Sequence, residues 1–211
     1  MIGQINLDSN AGKLIYDIAF SKDIVNILEI GTWNGMGSTQ CVIKSLKNRN
    51  KKANFISIEL YPEMYEQAIN NLGNDLEYVT ILNGSIISEA DFSWFDQSKI
   101  DFEKDIHARL YYHQDIEYVK TSKNLLHCVQ NDIDFLILDG GEYSTYPEWQ
   151  KLKDRTSIVF LDDTSILKCS KIRKEIIESG EFETIKDDLN DRNGYGAFIK
   201  KNKIAKFNLN F

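Results

Sequence analysis

The chain has 211 residues, 42% hydrophobic and 27% charged, which suits one globular domain with a full core. Its formal net charge of −7 argues against a nucleic-acid surface as its main business, and no apolar run approaches the about 20 residues of a membrane span. The N-terminus, MIGQINLDSN, lacks the basic-then-apolar pattern of a secretory signal. Cys41, Cys128 and Cys169 are odd in number, far apart and form no CxxC, so neither a disulfide framework nor a zinc site is indicated. A reducing, cytoplasmic location is expected.

Leu14, Ile15, Ile18 and Ala19 recur at helical spacing and predict an amphipathic helix over Asn10–Ser21. Val25–Gly31 follows as a buried strand, then a glycine-bearing turn, Gly31-Thr32-Trp33-Asn34-Gly35-Met36-Gly37, then a helix over Ser38–Leu46. Such a turn brings backbone N–H groups to a helix N-terminus and lets a ligand approach the main chain. Glu29 is the odd residue of that strand. A charge buried there is costly without a partner, and a ligand cation would be one.

Ala53–Glu59 is a second strand that again ends in an acid. Glu59 lies about 30 residues beyond Glu29, the length of one strand–helix–strand unit, where a ribose-binding acid sits in dinucleotide-type folds. Pro62 opens a helix over Glu63–Leu72, which Gly73 and Asn74 stop. Leu76–Leu82 is a third strand, followed by Asn83-Gly84-Ser85, which suits either an adenine edge or a plain turn.

From Ile86 to about Tyr118 the alternation breaks down. The stretch holds Phe92, Trp94, Phe95, Phe102, Tyr111, Tyr112 and Tyr118, with His107, Arg109 and His113. So long an insertion in an α/β domain is expected to act as a lid or acceptor-site segment, and its aromatic density argues against disorder. The aromatics suit a small core of the lid's own, a dimer contact, or acceptor stacking. Thr121–Gln130 reads as a helix, with Leu125, Leu126 and Val129 inward.

Asp134–Asp139 is a fourth strand ending in an acid, followed by Gly140-Gly141-Glu142 and a short helix around Pro147–Leu152. Ser157–Asp162 is a fifth, followed by Asp163 and a helix over Ile166–Ser179 that Gly180 closes. Phe182–Ile185 and Tyr195–Lys200 form a closing pair of strands, and KKNKIAKFNLNF is a solvated tail. The expected architecture is one domain over residues 1–211: an α/β, Rossmann-like doubly wound sheet of seven strands, mostly parallel, with an antiparallel C-terminal edge strand. Ligands on such sheets bind outside the carboxyl ends of the strands, where Glu29, Glu59, Gly84, Asp139, Asp162 and Asp163 fall.

Four segments, LEIGTWNGMGS, FISIELYP, LNGS and the pair DFLILDGGEY with IVFLDD, carry a resemblance to class I S-adenosylmethionine-dependent methyltransferases. The resemblance covers nearly all of the chain except the insertion. It implies that Glu29, Gly31, Thr32, Trp33, Gly35, Gly37 and Ser38 hold the methionine and ribose end of the cofactor. Glu59 and Leu60 would hold the ribose, and Gly84 and Ser85 the adenine, with Asp139 also beside the cofactor. Trp33 stands where the usual motif has a glycine. The metal-dependent branch that resembles catechol O-methyltransferase and the macrolide-sugar O-methyltransferases tolerates this. In that branch, acids after strands four and five bind a divalent ion, which maps onto Asp139, Asp162 and Asp163. Glu142 falls where catechol-type enzymes carry a lysine.

Three converging carboxylates repel one another, and Mg²⁺ or Mn²⁺ would relieve this while activating an acceptor hydroxyl. Asp162-Asp163 would equally serve as an N-cap. Asp139, His107 and His113 are the candidate bases, since unperturbed histidine titrates near neutral pH. The expected activity is methylation of a hydroxyl on a small acceptor, a sugar or glycan first and a catechol or phenol second. The alternatives are a metal-independent N- or O-methyltransferase with a histidine base, and a non-catalytic binding module. A homodimer and a place in a longer multidomain chain both remain open.

Overall fold

The structure is a computed structural model and describes residues 5–96, 98, 106–207 and 209. The part of the expected insertion that includes Phe102 lies outside the described residues. Seven strands form one sheet in the order β3-β2-β1-β4-β5-β7-β6. They are β1 (Asn26–Ile30), β2 (Asn54–Glu59), β3 (Thr80–Asn83), β4 (Ile133–Leu138), β5 (Thr156–Asp162), β6 (Phe182–Asp188) and β7 (Tyr195–Lys200). The first five run parallel, and β7 pairs antiparallel with both β5 and β6. The antiparallel strand is therefore not the edge: β7 inserts between β5 and β6, and β6 takes the edge. The burial follows this, since β7 is almost wholly buried and β6 alternates toward solvent.

Both faces of the parallel strands are covered, which is why β1 and β4 are mostly apolar and buried, with Glu29 and Asp134 as buried charged exceptions. Successive residues of β4 point to opposite faces: Phe135 and Ile137 join the core under α1 (Asn10–Phe20) and α2 (Ser38–Arg49). Leu136 and Leu138 join the core under α5 (Thr145–Leu152) and α6 (Leu167–Ser179). The helix α3 (Pro62–Leu72) begins at a proline and ends at Gly73, as expected. Where β1 starts, Asp134 Oδ2 accepts the Val25 and Asn26 N–H groups at 2.9 Å each, satisfying backbone donors that strand pairing leaves over.

The insertion departs most from expectation. It carries a helix, α4 (Ile106–Thr121), whose buried residues are Tyr112, Asp115 and Val119. An aspartate in the middle of that stripe hides the helical period from a reading that looks only for apolar residues. The helix expected over Thr121–Gln130 is absent, and only Leu126–Cys128 makes a short 3₁₀ turn. Leu125 and Val129 are nonetheless buried. Here the backbone is drawn into a bridge with the turn after β3: Ser85 N–H donates to Lys123 O at 2.9 Å and Leu125 N–H to Ser85 O at 2.7 Å. The aromatics form a packed cluster, with Phe95 and Tyr112 ring centroids 4.8 Å and 5.2 Å from that of Tyr143, continuous with the core of that sheet face. The tail is also less solvated than expected, because Phe207 is buried in the opposite core and Lys206 Nζ lies 2.5 Å from Asp134 Oδ1.

Candidate active site

A cavity of about 440 Å³ opens at the carboxyl ends of β1, β2, β4 and β5, within the size range of cofactor pockets. Its floor is a close meeting of three strand ends, β1 between β2 and β4. Gly31 N–H donates to Ile58 O at 2.9 Å, and Asp139 N–H donates to Ile30 O at 2.9 Å. At φ +94°, a Cβ on Gly31 would lie 2.1 Å from Asp139 O, so only glycine fits. Gly84, at the end of β3, is as constrained: a Cβ there would lie 2.5 Å from Lys123 O.

Of the residues expected to hold a cofactor, Gly31, Thr32, Trp33, Gly37, Ser38, Glu59, Leu60, Gly84 and Asp139 line this cavity. Glu29, Gly35 and Ser85 do not. Gly35 packs its backbone on Leu72, and Ser85 uses its hydroxyl to accept Ile87 N–H at 3.2 Å. Glu29 is wholly buried, and its Oε2 accepts the hydroxyls of Thr39 at 2.7 Å and Ser57 at 2.5 Å. Thr32 and Ser57 share a short hydroxyl contact, and since the Ser57 proton goes to Glu29, Thr32 must be the donor. Glu29 thus reaches the cavity wall only through Ser57 to Thr32 and beside Ser38. Burial raises its pKa, against the hydroxyls of Ser38, Ser57 and Thr39, and its Oε1 lacks a complete hydrogen bond.

Glu59 sits on the wall itself. Its Oε2 accepts Trp33 N–H at 2.6 Å and its Oε1 accepts Tyr61 N–H at 2.9 Å. One carboxylate therefore locks the glycine turn to the start of α3. Burial pushes its pKa up to about 7 in spite of both N–H donors. Trp33 adopts a left-handed backbone, φ +50°, and its side chain is 39% exposed. Trp33 nevertheless lines the cavity.

Asp139, Asp162 and Asp163 do converge, with ligand atoms within 4.8 Å of one another. The counter-charge comes from the chain. Lys168 Nζ, from the first turn of α6, lies 2.7 Å from Asp139 Oδ1, 2.8 Å from Asp163 Oδ2 and 3.6 Å from Asp162 Oδ2. Arg192, in the β6–β7 connection, grips both oxygens of Asp162 at 3.0 and 2.9 Å, and Asn193 donates to Asp163 at 3.1 Å. That connection is held by Thr164 N–H to Gly194 O at 3.1 Å and Ser165 N–H to Asn193 O at 2.7 Å.

Burial alone would lower the Lys168 pKa, yet the three carboxylates raise it well above the ordinary value. Burial would raise the Asp163 pKa, but Lys168, Asn193 and Arg192 together outweigh it and hold the carboxyl below its usual range. Asp162 is pushed up to about 7 by burial and by Asp139. A divalent ion needs several oxygen ligands around one centre, and the ammonium already holds that centre, so the donor set does not fit one with Lys168 in place.

His107 and His113 lie exposed on α4 and outside the cavity lining, so the arrangement does not bring either expected base to the site. Residues the sequence reading passed over do reach it: Tyr61, Ser144, Glu148 and Arg192 line the cavity. Glu148 is 4% exposed, its Oε2 has no hydrogen-bond partner among the described residues, and burial followed by Asp115 and Glu59 pushes its pKa to about 8. Lys168 follows the pair of adjacent acids by five residues, whereas Arg192 lies about 30 residues away, where nothing in the spacing marks it.

No protein-family model matches the sequence, and a comparison with curated proteins finds no match. Solved structures do resemble it. The methyltransferase PaMTH1 of Podospora anserina, bound to S-adenosylhomocysteine, superposes with a TM-score of 0.59 at 13% identity over 90% of this chain and 77% of that one. An O-methyltransferase from Bacillus cereus, also with S-adenosylhomocysteine, gives 0.56 at 13% over 94% and 84%. The O-methyltransferase TomG of Streptomyces achromogenes, with S-adenosylmethionine, gives 0.56 at 12% over 90% and 78%. The fold is that of the Rossmann-like methyltransferases.

Proposed function

We propose that the chain is an S-adenosylmethionine-dependent methyltransferase that transfers the methyl group to a hydroxyl of a small polar acceptor. The observation that carries this is Glu59, a buried carboxylate on the cavity wall whose two oxygens are fixed by the Trp33 and Tyr61 N–H groups. Its remaining lone pairs suit the two hydroxyls of a ribose. The Gly31 turn, which admits no Cβ, supports the same reading. The cofactor, when bound, supplies an electrophilic methyl on a sulfonium.

The protein's part is then to present an oxygen in line and to take its proton. Asp139 lines the cavity and contacts Lys168 through Oδ1, and among the described residues its Oδ2 has no protein partner. With the cofactor bound, that oxygen would accept the proton of a hydroxyl that the cavity presents in line with the electrophilic methyl. Asp139, Asp162, Asp163 and Arg192 make this end of the cavity polar and charged. A sugar or glycan hydroxyl therefore suits it better than a catechol ring, which would need an apolar slot.

Calorimetric titration of S-adenosylmethionine and S-adenosylhomocysteine into the protein tests the reading. Binding that Glu59→Ala weakens about 100-fold is expected, and absence of binding by the unaltered chain would sink it. Cofactor binding without turnover on any hydroxylated acceptor would favour a non-catalytic module.

A further inference from the structure

We infer that Lys168 is a built-in replacement for a divalent ion: its ammonium holds the centre of the Asp139–Asp162–Asp163 group, and the protein binds no divalent ion there while that ammonium is present. The catalytic consequence rests on the methyltransferase reading, whereas the exclusion of the ion stands on the geometry alone.

Three observations meet at this one point. The ligand atoms of the three acids are close enough to share an ion, within 4.8 Å of one another. Lys168 Nζ lies at hydrogen-bond distance from Asp139 and Asp163 and 3.6 Å from Asp162. The lysine is 7% exposed, and its backbone N–H is fixed by Glu142 Oε1 at 3.2 Å. An ammonium so enclosed is not a surface side chain that an incoming ion can brush aside. Removing it would leave three carboxylates facing one another with only Arg192 and Asn193 in compensation. An ion would have to expel Lys168 and find that lysine another anion.

The two arrangements differ chemically as well as electrostatically. A divalent ion acts as a Lewis acid on the acceptor oxygen itself. An ammonium tucked behind the acids cannot, because Lys168 does not line the cavity whereas Asp139 does. Lys168 therefore acts on the acceptor only through Asp139: it orients that carboxylate and leaves one oxygen toward the hydroxyl. It is a positioning residue.

The test is a titration of Mn²⁺ into chelator-treated protein, followed by loss of the free-ion paramagnetic resonance signal, with Mg²⁺ as competitor. The unaltered chain is expected to take up no Mn²⁺ at this site at millimolar concentration. Lys168→Ala is expected to gain a single site at least about tenfold tighter than any uptake by the parent, and Lys168→Ala with Asp163→Asn to lose it again. Should Lys168→Ala fail to fold, Lys168→Gln keeps the stem, drops the charge and takes its place.

Stoichiometric Mn²⁺ uptake by the unaltered chain that Asp163→Asn removes would overturn the inference. So would a Lys168 variant that folds and still takes up no ion, because the lysine would then not be what excludes it. Cofactor titration on the same samples separates the two readings. A chain that excludes Mn²⁺ but binds no S-adenosylmethionine refutes the proposed function and leaves the ion exclusion intact. Cofactor affinity unchanged by a chelator is expected if both hold.

Discussion

Two groups of acids close the strands of this sheet, and they are satisfied in opposite ways. Glu29 and Glu59, at the ends of β1 and β2, meet only neutral donors: the hydroxyls of Thr39 and Ser57 for one, two backbone N–H groups for the other. Asp139, Asp162 and Asp163, at the ends of β4 and β5, meet an ammonium and a guanidinium. Neutral donors do not overcome burial, so Glu29 and Glu59 both have raised pKa values. Lys168 at 2.8 Å, together with Asn193 and Arg192, does overcome it at Asp163. Asp162 shows the limit, because even with Arg192 on it burial and Asp139 push it to about 7. The difference suits a division of labour. On the β1–β2 side only Glu59 lines the cavity, while on the β4–β5 side the acids meet cations of the chain itself.

The contrast breaks most visibly if a cation is removed. Lys168→Ala should cost about 3–5 kcal/mol at neutral pH, since it strands buried carboxylates. Chemical denaturation measures it, and a loss under about 1 kcal/mol would mean that the ammonium is not what neutralises the group.

Next is Glu59→Ala, which unpairs the Trp33 and Tyr61 N–H groups and deletes the candidate ribose acceptor. The expected loss of cofactor affinity is about 100-fold, two charged hydrogen bonds at about 1.5 kcal/mol each. Calorimetry that finds less than about fivefold would remove Glu59 from the cofactor site.

A smaller effect sharpens the neutral side. Glu148 shares with Glu29 an oxygen that lacks a hydrogen-bond partner among the described residues, and its pKa is raised from 4.5 to about 8. A carboxyl whose folded pKa lies above its unfolded value contributes stability in full below the unfolded value and loses it as pH rises through the folded one. Between about pH 4.5 and 8 the ligand-free protein should therefore lose stability at this position. Glu148→Gln should flatten that part of the slope, raising the melting temperature at pH 8 by about 2–6 °C and changing it little at pH 5. Parallel melting curves across that pH range would contradict it.

The smallest expected effect is at the histidines. His107→Ala and His113→Ala should each change melting temperature and cofactor affinity within error, as exposed substitutions do. A tenfold loss of turnover in either would return a histidine to the chemistry.

The parallel half of the fold was legible because burial on both faces writes itself as apolar runs, and glycine and proline punctuate the rest. The order of the last two strands was not, because nothing in FETIKDD or YGAFIK alone says which one inserts beside β5. The helix α4 was hidden by Asp115, which occupies a core position by accepting hydrogen bonds. Of the site, the acids were legible as strand-ending charges, and so was their convergence. What neutralises each one was not. Glu29 looked like a ligand's partner but is held by Thr39 and Ser57. The supposed metal acids looked unpaired but are met by Lys168 and by Arg192, which sits in a segment that reads only as a turn. Partners across space are invisible to spacing along the chain.

Asp115 carries one more consequence. Its Oδ2 accepts the N–H groups of Tyr143 at 2.8 Å and Ser144 at 3.2 Å, and its Oδ1 accepts the Tyr61 hydroxyl at 2.8 Å. A Cβ on Gly141 would come within 2.4 Å of it. The inserted helix therefore supports the segments that line the cavity: one carboxylate joins the segment after β2 to the segment after β4. Any attempt to retarget such a protein by exchanging its insertion would have to carry this aspartate across, or the two walls of the cavity would lose their common tie.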